Sequence, residues 1–112
     1  MASRFVIGID LGTTYSAISY VDEYGQPVVV LNEDDEPVTA SAVFFETSDN
    51  VIVGKVAKTS GRVDPNNFLD MVKPHMGDPD YRREFHGKEY RPEQLSAIIL
   101  GKLKSYAENR LG

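Results

Sequence analysis

The amino-acid sequence predicts an α/β chain, of the α+β kind within these residues: an N-terminal β-meander, a small region of strands, and a long C-terminal helix. Three observations lead to this fold class. Short β-rich apolar runs separated by turn residues fill the first third of the chain. Two further strand-like runs flank a polar turn at residues 47–50. The final stretch carries apolar residues at helical spacing.

Length and composition are those of an ordinary globular protein and exclude several functions. The 112 residues suffice for one small core. A net charge of −5 argues against a nucleic-acid partner, which needs a basic face. The absence of cysteine excludes disulfides, thiol catalysis and cysteine metal sites. Because no stretch is apolar and long enough for a membrane span or a secretory signal, we expect a cytoplasmic location and no membrane partner.

Three apolar runs predict the N-terminal strands. Residues 5–9 are almost continuously apolar, which is typical of a strand buried on both faces. Residues 16–21 alternate between apolar and polar side chains, and residues 27–31 are β-rich. Turns at residues 10–14 and 22–25 join them into a meander. The first strand of this meander needs neighbours on both faces, and the meander itself offers few.

The middle of the chain is predicted as an alternation of short elements. They are a polar loop at residues 32–37, strands at 42–46 and 51–53, a short helix at 54–62, a helical turn at 67–72, and a small hairpin turning at Gly87. The hairpin is predicted because Gly87 separates two aromatic residues, Phe85 and Tyr90. Elements this short do not fix a topology by pattern alone.

The final helix has the strongest pattern. Pro92 suits the first helical position, Gly112 suits a helix stop, and the residues between them form a mostly apolar stripe that we interpret as core. The unpartnered first strand and the helix at the chain end both favour a piece of a larger protein. The alternative is a compact α+β mini-domain that packs its helix on its own sheet.

Residues 7–16 (IGIDLGTTYS) carry the candidate chemistry. A strand brings Asp10 to its end, and Gly12 allows the reversing backbone to approach a ligand closely. Backbone amides in such a turn, with the hydroxyls of Thr13 and Thr14, can hold phosphate oxygens. Asp10 would face phosphate only through a cation, and Mg²⁺ is the natural choice because it bridges carboxylates and phosphates through water. The alternative is a plain hairpin turn in which Gly12 supplies a positive φ.

Several blocks of the sequence resemble, in order, the heat-shock protein 70 chaperone family, in the N-terminal part of its ATPase domain. The blocks are residues 6–16 (VIGIDLGTTYS), 32–45 (NEDDEPVTASAVFF), 53–57 (VGKVA), 68–77 (FLDMVKPHMG) and 90–95 with the final helix. This resemblance implies an actin-like ATPase fold. Residues 1–38 would be strands of the first subdomain, and residues 39–112 a small outer α/β subdomain. The sheet would be a five-stranded mixed sheet that is incomplete here.

The resemblance also implies a set of site residues and cofactors. ATP or ADP would bind with Mg²⁺, and Asp10 would hold the metal through water. The β- and γ-phosphates would be lined by Gly12, Thr13, Thr14 and Tyr15. Thr13 would lie closest to the γ-phosphate and, with Lys73, would be catalytic.

The catalytic role of Lys73 is implied by the resemblance alone, because the residues by themselves indicate a solvated surface lysine. In the family it would approach the γ-phosphate and position the attacking water. Here Pro74 follows it, where the family typically has a basic residue. Proline disfavours helical backbone at the preceding residue, so we expect Lys73 to be displaced from the family geometry.

The resemblance implies that the parent protein is an ATP-hydrolysing chaperone acting in protein folding and the stress response, with unfolded clients and co-chaperones as partners. We expect this chain alone to be inactive, which leaves its own status as an enzyme open. Two alternatives are an autonomous protein-interaction module without nucleotide binding, and a piece of a sugar-kinase or actin-like relative. Because an incomplete sheet exposes strand edges, we also expect a dimer of the chain through them.

Overall fold

The computed structural model describes residues 6–70 and 72–112. Within them the chain is a mixed α and β structure, as the sequence predicts, with antiparallel sheets and two α-helices. The strands are β1 (Ile7–Leu11), β2 (Tyr15–Val21), β3 (Pro27–Val30), β4 (Thr39–Ala40), β5 (Ala42–Phe45), β6 (Val51–Val53), β7 (Phe68–Asp70), β8 (Arg83–Phe85) and β9 (Lys88–Tyr90). The helices are α1 (Lys55–Val63) and α2 (Pro92–Leu111), with 3₁₀ turns at Pro65–Asn67 and Lys73–His75.

The first sheet contains the predicted meander, with strand order β1-β2-β3. β1 pairs with β2 from Ile7↔Tyr20 to Leu11↔Ser16. β4 joins the start of β2, through the pair Tyr15↔Ala40. The short β4 therefore brings the chain back beside the turn between β1 and β2.

The second sheet has the order β6-β5-β7, and its central strand β5 is buried along its whole length. Phe44 pairs with Phe68 and Ala42 with Asp70. The predicted helical turn at residues 67–72 is therefore wrong over Phe68–Asp70, and residue 71 lies outside the described part of the chain. Tertiary pairing overrides a weak local preference here, because an extended β7 buries Leu69 and completes the hydrogen bonding of β5.

The predicted hairpin at Gly87 is confirmed as β8 and β9. His86 and Gly87 both have positive φ, at 51° and 79°, which matches the two-residue turn that suits twisted strands. Phe85 stacks on Phe45 with ring centroids 4.2 Å apart, and Tyr90 lies 4.8 Å from Phe45. The hairpin thereby closes one end of the core.

Helix α2 confirms the strongest prediction, and it begins at Pro92 as expected. Its buried stripe packs on both sheets and joins them in one core, through Leu95, Ile99, Leu103 and Tyr106. In the part of the chain that the structure describes, no helix is both long and apolar enough to cross a bilayer.

The expected burial of the first strand on both faces is wrong within the described residues. Ile7 is 39% exposed and Ile9 is 43% exposed. The physical reason is that α2 packs on β2 and β3 of this sheet, whereas β1 lies at the edge and pairs with β2 alone among the described strands. Between β1 and the end of α2 lies an open apolar groove of about 650 Å³, which the side chains of Ile7, Ile9 and Leu111 help to line.

Candidate phosphate-binding turn

The turn between β1 and β2 consists of Gly12, Thr13 and Thr14, and its backbone is tightly folded. A Cβ atom added at Gly12 would lie 2.2 Å from the carbonyl oxygen of Tyr15, closer than any side chain permits. Gly12 does not have a positive φ, so the plain-hairpin interpretation, in which Gly12 supplies one, does not describe this turn. Glycine is required by the close approach of one backbone segment to another.

Ser41, between β4 and β5, ties the turn to the second sheet. Its Oγ donates to the carbonyl oxygen of Gly12 at 2.9 Å and lies 2.8 Å from the Oγ of Ser16. Its backbone N–H donates to the carbonyl oxygen of Thr14 at 2.8 Å. Sequence reasoning missed Ser41, because nothing in a serine beside a strand signals a partner 29 residues away.

A small cavity of about 170 Å³ lies against the turn. The residues that line it are Thr13, Thr14, Ser41, Ala42, Lys58 and Asp70. It therefore brings two threonines of the predicted turn beside a lysine from α1 and an aspartate from β7. Sequence reasoning missed Lys58 and Asp70, since neither lies near the turn in sequence.

Tyr15 begins β2 directly after the turn and is 54% exposed. The ammonium of Lys58 lies 5.8 Å from the centre of its ring, within the range of a cation–π contact. This contact holds the lysine on the same side of the sheet as the turn.

Asp10 lies within β1, opposite Ala17 of β2, and is exposed. Because side chains alternate along a strand, Asp10 projects from the face opposite to Ile9 and the apolar groove. No group of three or more His, Cys, Asp or Glu side chains that could hold a metal occurs among the described residues. A single carboxylate holding Mg²⁺ through water does not require such a group, so this role of Asp10 stays a prediction.

Lys73 opens the 3₁₀ turn Lys73–His75, which Pro74 continues. Its side chain is exposed. Lys58 lines the cavity beside Thr13 and Thr14, and Lys73 is not among its lining residues in the described structure. The catalytic role of Lys73, and its displacement by Pro74, stay predictions.

Comparison with known families decides the relationship. A family model described as Hsp70 protein matches residues 6–84, which is more than half of the chain. The chain belongs to the Hsp70 family. The match includes the turn at Gly12, Thr13 and Thr14, and also Ser41, Lys58 and Lys73. It agrees with the resemblance drawn from the sequence and favours a chaperone-type ATPase family over a sugar kinase or an actin-like relative.

Hsp70 proteins generally bind nucleotide and Mg²⁺, and the residues at the turn fit such a ligand. Because Gly12 has no Cβ to collide with the carbonyl oxygen of Tyr15, the backbone can reverse tightly, as an amide cradle for phosphate requires. Thr13 and Thr14 bring hydroxyl donors to the cavity, and Lys58 brings a positive charge. Hydroxyls, amides and an ammonium are the groups that proteins use to hold phosphate oxygens.

Proposed function

We propose that the chain supplies the phosphate-binding corner of an ATP-binding, ATP-hydrolysing chaperone of the Hsp70 family. The observation that carries this proposal is the turn itself. Gly12 is held by Ser41 in a conformation that only glycine fits, and the cavity beside it is lined by both threonines and a lysine. A hairpin with no ligand has no need of this combination.

The residues of the turn have distinct roles in this proposal. Gly12, Thr13 and Thr14 bind the β- and γ-phosphates, with Thr13 nearest the γ-phosphate and Tyr15 at the border of the site. Asp10 orients water in the coordination shell of Mg²⁺. When bound, Mg²⁺ neutralises the charge that develops on the phosphate oxygens during transfer.

Lys73 is the proposed group that positions the attacking water. Phosphoryl transfer needs positive charge and positioning, with little covalent chemistry from the protein. An ammonium can orient water through its three N–H donors.

This chain alone is expected not to hydrolyse ATP. Thr14 and Tyr15 are exposed, so water has free access to the turn. Stabilising a phosphoryl transition state depends on preorganised groups in a site that excludes water. We propose unfolded client proteins and co-chaperones as partners of the parent protein in the cytoplasm. Binding of these partners depends on the complete ATPase.

Equilibrium binding tests the proposal. Wild type is titrated with ATP and Mg²⁺ by calorimetry, beside adenosine without phosphate and beside the variant Gly12→Ala. We expect ATP to bind wild type, adenosine to bind far more weakly, and Gly12→Ala to lose ATP binding because its methyl group displaces the turn. Equal binding of adenosine and ATP would contradict a phosphate site. Steady phosphate release above a Lys73→Ala control would contradict the expected inactivity of the chain.

A second candidate role, protein association, is favoured by the exposed edge of β1. We infer that the isolated chain pairs with a second copy through this edge, since Val6 is 69% exposed and the groove beside β1 is apolar. Sedimentation equilibrium at rising concentration should show a dimer, and Ile9→Lys should abolish it. A monomer at every concentration would refute the inference.

A further inference from the structure

We propose that Lys58 of α1 binds the terminal phosphate of a nucleoside triphosphate held at the turn. The inference rests on the proposed function, and it assigns the cation beside Thr13 and Thr14 to a residue that the sequence motifs do not include. Lys58 lines the same cavity as both threonines, whereas Lys73 is exposed and is absent from that lining among the described residues.

Packing of α1 fixes the position of Lys58. The backbone N–H of Gly54, before the helix, donates to the carbonyl oxygen of Ala42 at 3.0 Å. Ala57 is fully buried, and a Cβ at Gly61 would lie 2.3 Å from the ring of Phe68. Because these residues hold one face of the helix on the second sheet, Lys58 is directed to the side where the turn lies.

The charge of Lys58 is not used elsewhere in the described structure. Lys55, on the same helix, makes an ion pair with Glu36 at 3.2 Å. Lys58 makes no ion pair with any described residue, and its ammonium lies 5.8 Å from the centre of the Tyr15 ring. A half-buried lysine that makes no ion pair, in a cavity lined by two threonines, is suited to an anionic ligand.

The cavity also has room for a ligand group and a cation. Its volume of about 170 Å³ is roughly ten times the minimum that admits one water molecule. The carboxylate of Asp70 lines it as well and would repel a bare phosphate. Binding is therefore expected to need Mg²⁺, whose positive charge would offset that of the carboxylate.

The test compares variants of the whole chain titrated with ATP and Mg²⁺. Binding is followed by calorimetry and by the phosphorus NMR shift of the γ-phosphate, which reports the charge beside it. Lys58→Gln should raise the dissociation constant for ATP roughly tenfold, because it removes one charge-assisted hydrogen bond. It should also reduce the shift of the γ-phosphate. Lys58→Arg should restore most of both, and the control Lys55→Gln should stay within about twofold of wild type.

The outcomes separate this inference from the proposed function. Binding by wild type that Lys58→Gln leaves unchanged overturns the role of Lys58 and preserves the phosphate site. A loss of ATP binding in Lys73→Gln but not in Lys58→Gln likewise overturns the role of Lys58 and preserves the phosphate site. No binding by folded wild type overturns both. Lys58→Met, which keeps the apolar stem of the side chain, replaces Lys58→Gln if that variant does not fold.

Discussion

We predict that the hydroxyl of Ser41 stabilises the turn at Gly12, Thr13 and Thr14. The loss of unfolding free energy in Ser41→Ala measures this stabilisation. Ser41 and Ser16 are both almost fully buried, at 4% and 2% exposure. In Ser41→Ala, the bond to the carbonyl oxygen of Gly12 is lost, which costs about 1 kcal/mol. The buried hydroxyl of Ser16 also loses its hydrogen bond to Ser41, which costs about 1–3 kcal/mol. The expected loss of unfolding free energy is therefore about 2–4 kcal/mol.

Urea denaturation followed by circular dichroism measures this loss, with thermal unfolding as a second readout. For a domain of this size the expected fall in Tm is roughly 10–20 °C. A matched control is Ser105→Ala, since the Oγ of Ser105 donates only to the carbonyl oxygen of Lys102 within its own helix. The control should stay within about 0.5 kcal/mol of wild type.

A double variant separates the two contributions. In Ser16→Ala with Ser41→Ala, the orphaned hydroxyl is removed together with its partner, so the double variant should be more stable than Ser41→Ala alone. Two results would contradict a stabilising hydrogen bond between these serines. One is a Ser41→Ala variant within about 0.5 kcal/mol of wild type. The other is a double variant less stable than the single one.

Two glycines and a tyrosine give further predictions. Gly61→Ala should destabilise the chain by about 1–2 kcal/mol, because its methyl group would meet Phe68. Gly101→Ala should stabilise the chain by about 1 kcal/mol, since that position is helical and open. A higher urea midpoint for Gly61→Ala than for Gly101→Ala would contradict both predictions. Burial, with the nearby charge of Glu33, raises the pKa of Tyr106 far above its usual 10, so its contribution to stability is complete below pH 10 and is lost as pH rises further. Tyr106→Phe should therefore lose less stability than wild type between pH 9 and 11, and equal losses in urea melts would contradict the assignment.

The sequence predicted those parts of the fold whose pattern is local. The meander, the hairpin at Gly87 and helix α2 each carry their own apolar period and turn residues, so they are recognisable without knowing what they pack against. The strand β7 was missed because its extended backbone depends on pairing with β5, which its own residues do not indicate. The exposure of β1 was missed because an apolar run gives no information about which neighbours are present.

The candidate site was predictable only in its contiguous part. Gly12, Thr13 and Thr14 follow one another in the chain, and their types alone suggest a phosphate turn. Ser41 and Lys58 reach the turn only after β4 folds back and α1 packs on the second sheet. Side chains brought together by tertiary packing have no fixed spacing, so no motif search on one sequence finds them.

Phosphate binding at this turn can be followed residue by residue through the backbone amide NMR signals of Gly12, Thr13 and Thr14. Wild type is titrated with ATP and Mg²⁺, and the amide of Gly87 in the distant hairpin serves as an internal control. We expect saturable shifts at the three turn amides while the Gly87 signal stays in place. A well-folded spectrum in which the turn signals do not move, up to millimolar nucleotide, would contradict phosphate binding at this turn.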